Sequence, residues 1–242
     1  GSRLRCLILT SGSLEQVAHR LTRLVGPYAE IDAKRDTWIP RGFLEPKEST
    51  LEENDKLLPP GMCRELTNWW LAKPRGATKP TWDIASTAMI GERKGIILVE
   101  AKAHRAEPSD SGKTPGNKEN ECSIREAMRE ANAGLGGEQA GWSLTADSHY
   151  QLCNRFAWSW KIASLGVPVI LVYLGFQNAA EMTDRGQPFH PATEWSDVIR
   201  SHAEGIVPND AWDRPIDFNG TKMRAIIQSV DPYNESHYVP RN

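Results

Sequence analysis

The chain is short of cysteine, of net charge and of long apolar runs. Its four cysteines, Cys6, Cys63, Cys122 and Cys153, lie far apart and make no Cys-x-x-Cys pair. That scatter argues against a disulfide framework and against a cysteine zinc site, and it suits a reducing cytoplasm, the expected location. Lysine and arginine number 29 against 31 acids, a formal net charge of −2. A basic coat for nucleic acid is therefore excluded, and any contact with a polyanion must come from a local patch. The longest apolar stretch, residues 167–176, is about half of a membrane span. Leu7-Ile8-Leu9 is too short for the apolar part of a signal peptide, and polar residues follow at once. No internal repeat is visible.

What remains is a chain of 242 residues, 39% of them apolar, able to bury a sizeable core as one α/β domain. Residues 4–9 read as a short strand. Ser13 can cap an amphipathic helix over 14–25 that Gly26-Pro27 ends. Residues 26–60 mix proline, charge and single apolar residues and predict irregular structure. A helix over 61–71 carries Glu65 and closes at Lys73-Pro74. Residues 82–90 and 95–103 are strand-like runs on either side of Gly91-Glu92-Arg93-Lys94-Gly95, a turn with glycine at both ends. A polar loop over 105–120 follows, then a helix over 123–132 and a glycine-rich loop over 134–141. A helix over 148–165 with Gly166 as its C-cap leads into a buried strand over 167–174. A helix over 192–203 and a strand over 223–230 complete the chain.

The functional signal is charge where a strand should spend only apolar residues. Asp83 opens the first run, and Glu100-Ala101-Lys102 closes the second. Charge at the end of a buried strand is costly unless a metal or a partner compensates it. Centring the turn on Arg93 pairs positions whose numbers sum to roughly 186, within a residue or two. Asp83 then falls opposite Ala103, beside Lys102 and one diagonal step from Glu100, where neighbours lie roughly 5–8 Å apart. Alternation puts Ile96, Leu98, Glu100 and Lys102 on one face, with Ile97, Val99 and Ala101 on the other. Two carboxylates so placed repel each other, and an oxygen-seeking divalent cation relieves the repulsion. An adjacent lysine can hold a water or stabilise charge on a phosphate, which suits metal-assisted hydrolysis of a phosphodiester.

This arrangement resembles the PD-(D/E)XK nuclease superfamily, over roughly residues 61–175. The resemblance implies a restriction-endonuclease-like fold: a mixed central sheet flanked by helices, with an α-β-β-β-α-β core. Residues 1–60 would be an N-terminal extension and 176–242 a C-terminal addition to a single domain, 1–242. It implies Asp83 and Glu100 as metal-binding acids, the Ala101 carbonyl as a further ligand, and Lys102 as the lysine near the attacking water. Magnesium is the implied cofactor, with manganese able to replace it, and DNA the implied substrate ahead of RNA. Membrane is not an expected partner, and a homo-oligomer is compatible with the sequence. In one branch of the superfamily a glutamine on the following helix faces the site, and Gln151 matches it; Arg155 stands where that branch has tyrosine. Glu65 is the candidate acid from the first helix, with Glu53 its rival. Thr81-Trp82 replaces the name-giving proline, and only residues 73–81 separate the Glu65 helix from Asp83, leaving little room for a first strand.

The tripeptide proves nothing alone. Roughly one Glu-x-Lys is expected by chance in a chain with a quarter of its residues charged, and Glu45-Pro46-Lys47 and Glu92-Arg93-Lys94 are further copies. Only the copy at 100–102 ends an apolar strand. The competing reading is an edge hairpin whose Glu and Lys form a solvated pair, and for Gln151 and Arg155 it is polar decoration of a helix. His104, Arg105, Lys113 and Arg155 are candidate nucleic-acid contacts, and Lys79, Arg93, Lys94, Arg105 and Lys113 a candidate positive rim. The P-loop-like stretch 107–114 is rejected because Pro115-Gly116 would block the helix it must open. The tryptophan pairs Trp69-Trp70 and Trp158-x-Trp160 are core residues by default. The alternative function is a catalytically silent domain of the same fold serving as a nucleic-acid or protein interaction module; an unrelated α/β protein with an edge hairpin is the third possibility.

Overall fold

The computed structural model describes every residue except 49, 52–55, 115, 191, 232 and 234–242. In chain order its elements are α1 (Ser2–Leu9), α2 (Leu14–Val25), β1 (Trp38–Ile39), α3 (Met62–Trp70), β2 (Ile84–Ile90) and β3 (Arg93–Lys102). There follow α4 (Lys118–Glu138), α5 (Tyr150–Ser164), β4 (Val169–Phe176), α6 (Ala192–His202), β5 (Pro215–Phe218) and β6 (Thr221–Val230). The strands form one mixed sheet in the order β1-β2-β3-β4-β6-β5. β1, β2 and β3 are antiparallel neighbours, β3, β4 and β6 run parallel, and β5 returns antiparallel to β6.

Helices cover both faces of the sheet. Ile97, Val99, Ile170 and Val172 pack against Cys6 and Leu9 of α1 and Val17 and Leu21 of α2. Ile96, Leu98, Leu171 and Tyr173 pack on the other face against residues of α3, α4, α5 and α6, among them Trp70, Ile124, Phe156 and Trp195. Every residue of β4 is buried, as expected of a central parallel strand covered on both sides. Trp70, Trp158 and Trp160 are buried, and Trp69 meets all three rings, so these tryptophans are core residues. Among the described residues no helix is long and apolar enough to cross a membrane. The sheet takes β1 from the segment before residue 61 and β5 and β6 from the segment after 175, so those flanks are built into the sandwich.

Three local expectations are corrected. Residues 2–9 form a helix where a strand over 4–9 was expected; a six-residue apolar run does not distinguish the two. Arg5 is buried in α1 and ties it to the far end of β4, donating to the Gln177 carbonyl at 2.9 Å and to Glu181 Oε1 at 2.9 Å. Of the expected glycine loop over 134–141, residues 134–138 are instead the end of α4, and only 139–141 are outside it. Gly134 serves packing there, because a Cβ on it would lie 2.3 Å from Trp160 Cζ2 on α5. The hairpin turn is also tighter than expected. Ile90 pairs with Arg93 around Gly91-Glu92, with Gly91 at φ +61°, a backbone conformation that favours glycine at the head of a two-residue turn. Paired numbers therefore sum to 183 rather than 186. The ladder, continued one step past Ile84–Val99, sets Asp83 level with Glu100 and not with Ala103.

Candidate active site

β3 leads into the site. Its apolar residues fix which face each later side chain takes: Ile96 and Leu98 point to the α5 side, so Glu100 and Lys102 follow them. Glu100 pairs with Tyr173 of β4 and is only 2% exposed. Asp83 stands one residue before β2, its backbone N–H donating to the Val99 carbonyl at 3.1 Å. Its carboxylate accepts from the Ala101 N–H at 2.8 Å. The hairpin thus brings Asp83, Glu100, Ala101 and Lys102 together.

The helix α5 supplies the rest. Gln151 and Arg155 lie four residues apart and share a face. The Lys102 ammonium donates to Glu100 Oε1 at 2.5 Å and to Gln151 Oε1 at 2.8 Å. Arg155 Nε donates to Glu100 Oε2 at 2.7 Å, while its other nitrogens reach the Thr81 carbonyl and Asn154 Oδ1, each at 2.7 Å. The Arg155 guanidinium also stacks over buried Trp82, 4.6 Å from the ring centre. Each oxygen of Glu100 consequently has its own cation.

These contacts split the two acids. Burial pushes the Glu100 carboxyl up, but Arg155 and Lys102 together outweigh it and hold the group below its usual range. Asp83 is pushed up to about 7, first by burial and then by the charge of Glu100, against the weaker pull of the Ala101 N–H, Lys102 and Arg155. Glu100 is therefore the ionised acid of the two, and Asp83 holds its proton far more tightly than an ordinary aspartate. A second positive centre beside Asp83 would complete its ionisation.

Beside this network lies a cleft of about 700 Å³ walled by the loop before β2, the loop before α4 and the face of α5. Lys73, Arg75, Lys79, Lys113 and Arg155 line it, none of its lining residues among those described is acidic, and Glu119 at its edge holds the Lys73 ammonium at 2.7 Å. Lys113 lies in this wall, its ammonium donating to the Thr114 carbonyl at 2.9 Å. His104, Arg105, Arg93 and Lys94 lie elsewhere. His104 is 7% exposed and packed beneath Gly186, whose Cβ would lie 2.3 Å from its Nδ1, so it is a buried residue and no rim contact. Arg105 pairs with Glu194, its Nε 2.6 Å from the carboxylate, outside the basic cleft. Arg93 and Lys94 sit at the opposite end of β3 from Lys102, about 30 Å away at 3.3 Å per residue; Arg93 there bonds the Gly166 carbonyl at 2.6 Å. Arg155 is 4% exposed, and its first role is to hold Glu100. Glu65 is exposed on α3 and takes no part in the hydrogen bonds around Glu100. Glu53 lies outside the described residues.

The stretch 107–114 remains loop, and α4 starts only at Lys118 behind an Asn117 cap, so it has no P-loop geometry. The sequence reading missed one cluster, Asp110, His149 and His202. Their numbering hides them, since they come from a loop, the residue capping α5 and the last turn of α6. Comparisons of the chain with protein-family models, with curated proteins and with solved structures find no match. The functional question therefore rests on the site's own geometry.

Proposed function

We propose that the chain is a divalent-metal-dependent nuclease of restriction-endonuclease-like fold that hydrolyses phosphodiester bonds in DNA. The observation that carries this reading is the meeting of Asp83, Glu100, Lys102 and Gln151 at one corner of the sheet, beside a cleft lined by basic residues. The order α2, β1, β2, β3, α5, β4 is in keeping with the α-β-β-β-α-β core of that fold, with α3 and α4 as insertions. On this alignment α2, and not the Glu65 helix, is the first core helix.

The donor set fits a hard cation. Asp83 and Glu100 offer carboxylate oxygens, and the Ala101 carbonyl lies between them and Lys102 in sequence; magnesium or manganese takes such ligands. When bound, the ion would polarise a phosphate and make a water more acidic. The protein's own groups divide the remaining work. Ala101 N–H orients Asp83, and Arg155 orients and charges Glu100. Gln151 steadies the Lys102 ammonium, which is placed to hold a water or to neutralise charge on a phosphoryl oxygen. Lys73, Arg75, Lys79 and Lys113 would receive the backbone of the strand. DNA is preferred to RNA on the strength of the superfamily resemblance.

A second reading has its own observation. Both Glu100 oxygens are already paired, with Lys102 and with Arg155, so the carboxylate is satisfied as it stands. A silent nucleic-acid-binding domain would keep that arrangement. A cleavage assay on single- and double-stranded DNA and RNA, with magnesium or manganese and beside Lys102→Ala, separates the two. The nuclease reading expects metal-dependent DNA cleavage that falls by about 10²-fold or more in the variant. Binding without cleavage in either protein supports the silent module, and equal cleavage by both overturns the role of Lys102.

A further inference from the structure

We propose that Asp110, His149 and His202 form a transition-metal site, suited to zinc, that is separate from the Asp83–Glu100 pair. His149 Nε2 lies 2.9 Å and His202 Nδ1 3.1 Å from the same Asp110 oxygen. All three donor atoms fall within 4.8 Å of one another, and the imidazole centres are 4.7 Å apart. Zinc bonds of about 2.0–2.1 Å in tetrahedral geometry put neighbouring donors roughly 3.3 Å apart. To admit the ion, the two contacts on Asp110 would open by a few tenths of an ångström and the two histidine nitrogens, which lie within 4.8 Å of each other, would take the same spacing. The chemistry also selects it: two imidazoles and one carboxylate suit a borderline cation, whereas magnesium prefers an all-oxygen shell.

The backbone pre-forms the cluster. Residues Ser111 and Ser148 are bridged, and the N–H of His149 donates to the Asp110 carbonyl at 3.0 Å. His149 itself takes the left-handed conformation, φ 48°, ψ 35°, at the start of α5. A non-glycine residue pays for that backbone, and the payment delivers its ring to Asp110. His149 Nε2 faces an Asp110 oxygen at 2.9 Å, a contact that uses its proton; a bound ion would displace that proton and leave the ring N–H at Nδ1, which has no hydrogen-bond partner among the described residues. His202 closes the site from the last turn of α6. A cleft of about 1040 Å³ with Asp110, His149 and His202 in its wall gives an ion a route in and a place for a water.

The location gives the site a purpose. On one side of the cluster is the loop that carries Lys113, on another the helix α5 that carries Gln151 and Arg155. His202 also borders the crevice shared by Glu100, Lys102 and Gln151. A bound zinc would pin α5, α6 and the loop that carries Lys113 to one another beside the acids. The proposal does not depend on the nuclease reading, because zinc could bind whether or not DNA is cut.

The test is zinc content by elemental mass spectrometry on untagged protein, equilibrated with micromolar zinc and then freed of unbound metal. About one zinc per chain is expected, lost in the doubly substituted His149→Ala, His202→Ala protein. It should be retained in the Asp83→Asn, Glu100→Gln protein. Asp110 is 77% exposed at its side chain, so Asp110→Asn is a second variant that leaves the core untouched, and it should bind zinc at least about tenfold more weakly. Cobalt in place of zinc should give visible absorption in the native protein that both cluster variants lose. A native protein without zinc, equal zinc in native and cluster-substituted proteins, or loss of zinc only with the Asp83 and Glu100 substitutions would each overturn the site.

Discussion

Glu100 shows at the scale of one residue why the sequence could point to the site and not complete it. A carboxylate ending an apolar run demands a partner, and the sequence offered Lys102, two residues on. The stronger buried partner, Arg155, is 55 residues away and could be assigned only as polar decoration or a phosphate contact. Removing one member of a buried pair leaves the other charge uncompensated, typically at about 3–5 kcal/mol. Arg155→Met is therefore expected to lower unfolding stability in urea by that order, far more than Lys113→Met at the cleft rim. Asp83 gives a prediction of opposite sign to the usual acid. Its folded pKa of about 7 lies above the ordinary 3.8, so the folded chain keeps a proton that the unfolded chain has released. The stability tied to that proton is complete below about pH 4 and is lost as pH rises through about 7. Thermal unfolding without divalent ions should show this decline in the native protein and not in Asp83→Asn. Magnesium at pH 8 should raise the native Tm and leave that of Asp83→Asn unchanged.

The hairpin and α4 carry the lesson at the scale of the element. Periodicity alone placed Glu100 and Lys102 on one face of β3, because a buried strand must alternate its side chains between two layers. Register depends instead on the turn, and glycine stood at both ends of the 91–95 segment. The first, Gly91, makes the turn; the second, Gly95, lies inside β3 with a virtual Cβ 2.5 Å from the Pro168 carbonyl oxygen. Sequence could not tell a turn glycine from a close-contact glycine, and the expected pairing slipped by three. The same ambiguity broke the expected α4 helix too early. Gly134→Ala would press a methyl into Trp160 and should cost about 1–3 kcal/mol by overpacking. Gly136→Ala, in the same helix with nothing within 4 Å of its Cβ, should gain up to about 1 kcal/mol from helix propensity. Paired thermal melts of the two variants check the contrast.

For the whole molecule, a net charge near zero concealed a local field. The basic cleft draws Lys73, Arg75 and Lys79 from one loop and Lys113 from another, and no composition window joins them. The sheet behaves likewise: its outer strands come from segments that the sequence had set apart as an extension and an addition. Arg75→Glu with Lys113→Glu should weaken DNA binding and flatten its salt dependence by about one unit of slope per lost phosphate contact, measured by fluorescence anisotropy between low and moderate salt. The proposed metal site requires Asp83 and Glu100 to share one ion at the end of β3. It is tested most directly by counting bound manganese by electron paramagnetic resonance, in a His149→Ala, His202→Ala background that removes the second candidate site. About one manganese per chain is expected, abolished by Asp83→Asn and by Glu100→Gln alike. Manganese bound equally well after either substitution would contradict it.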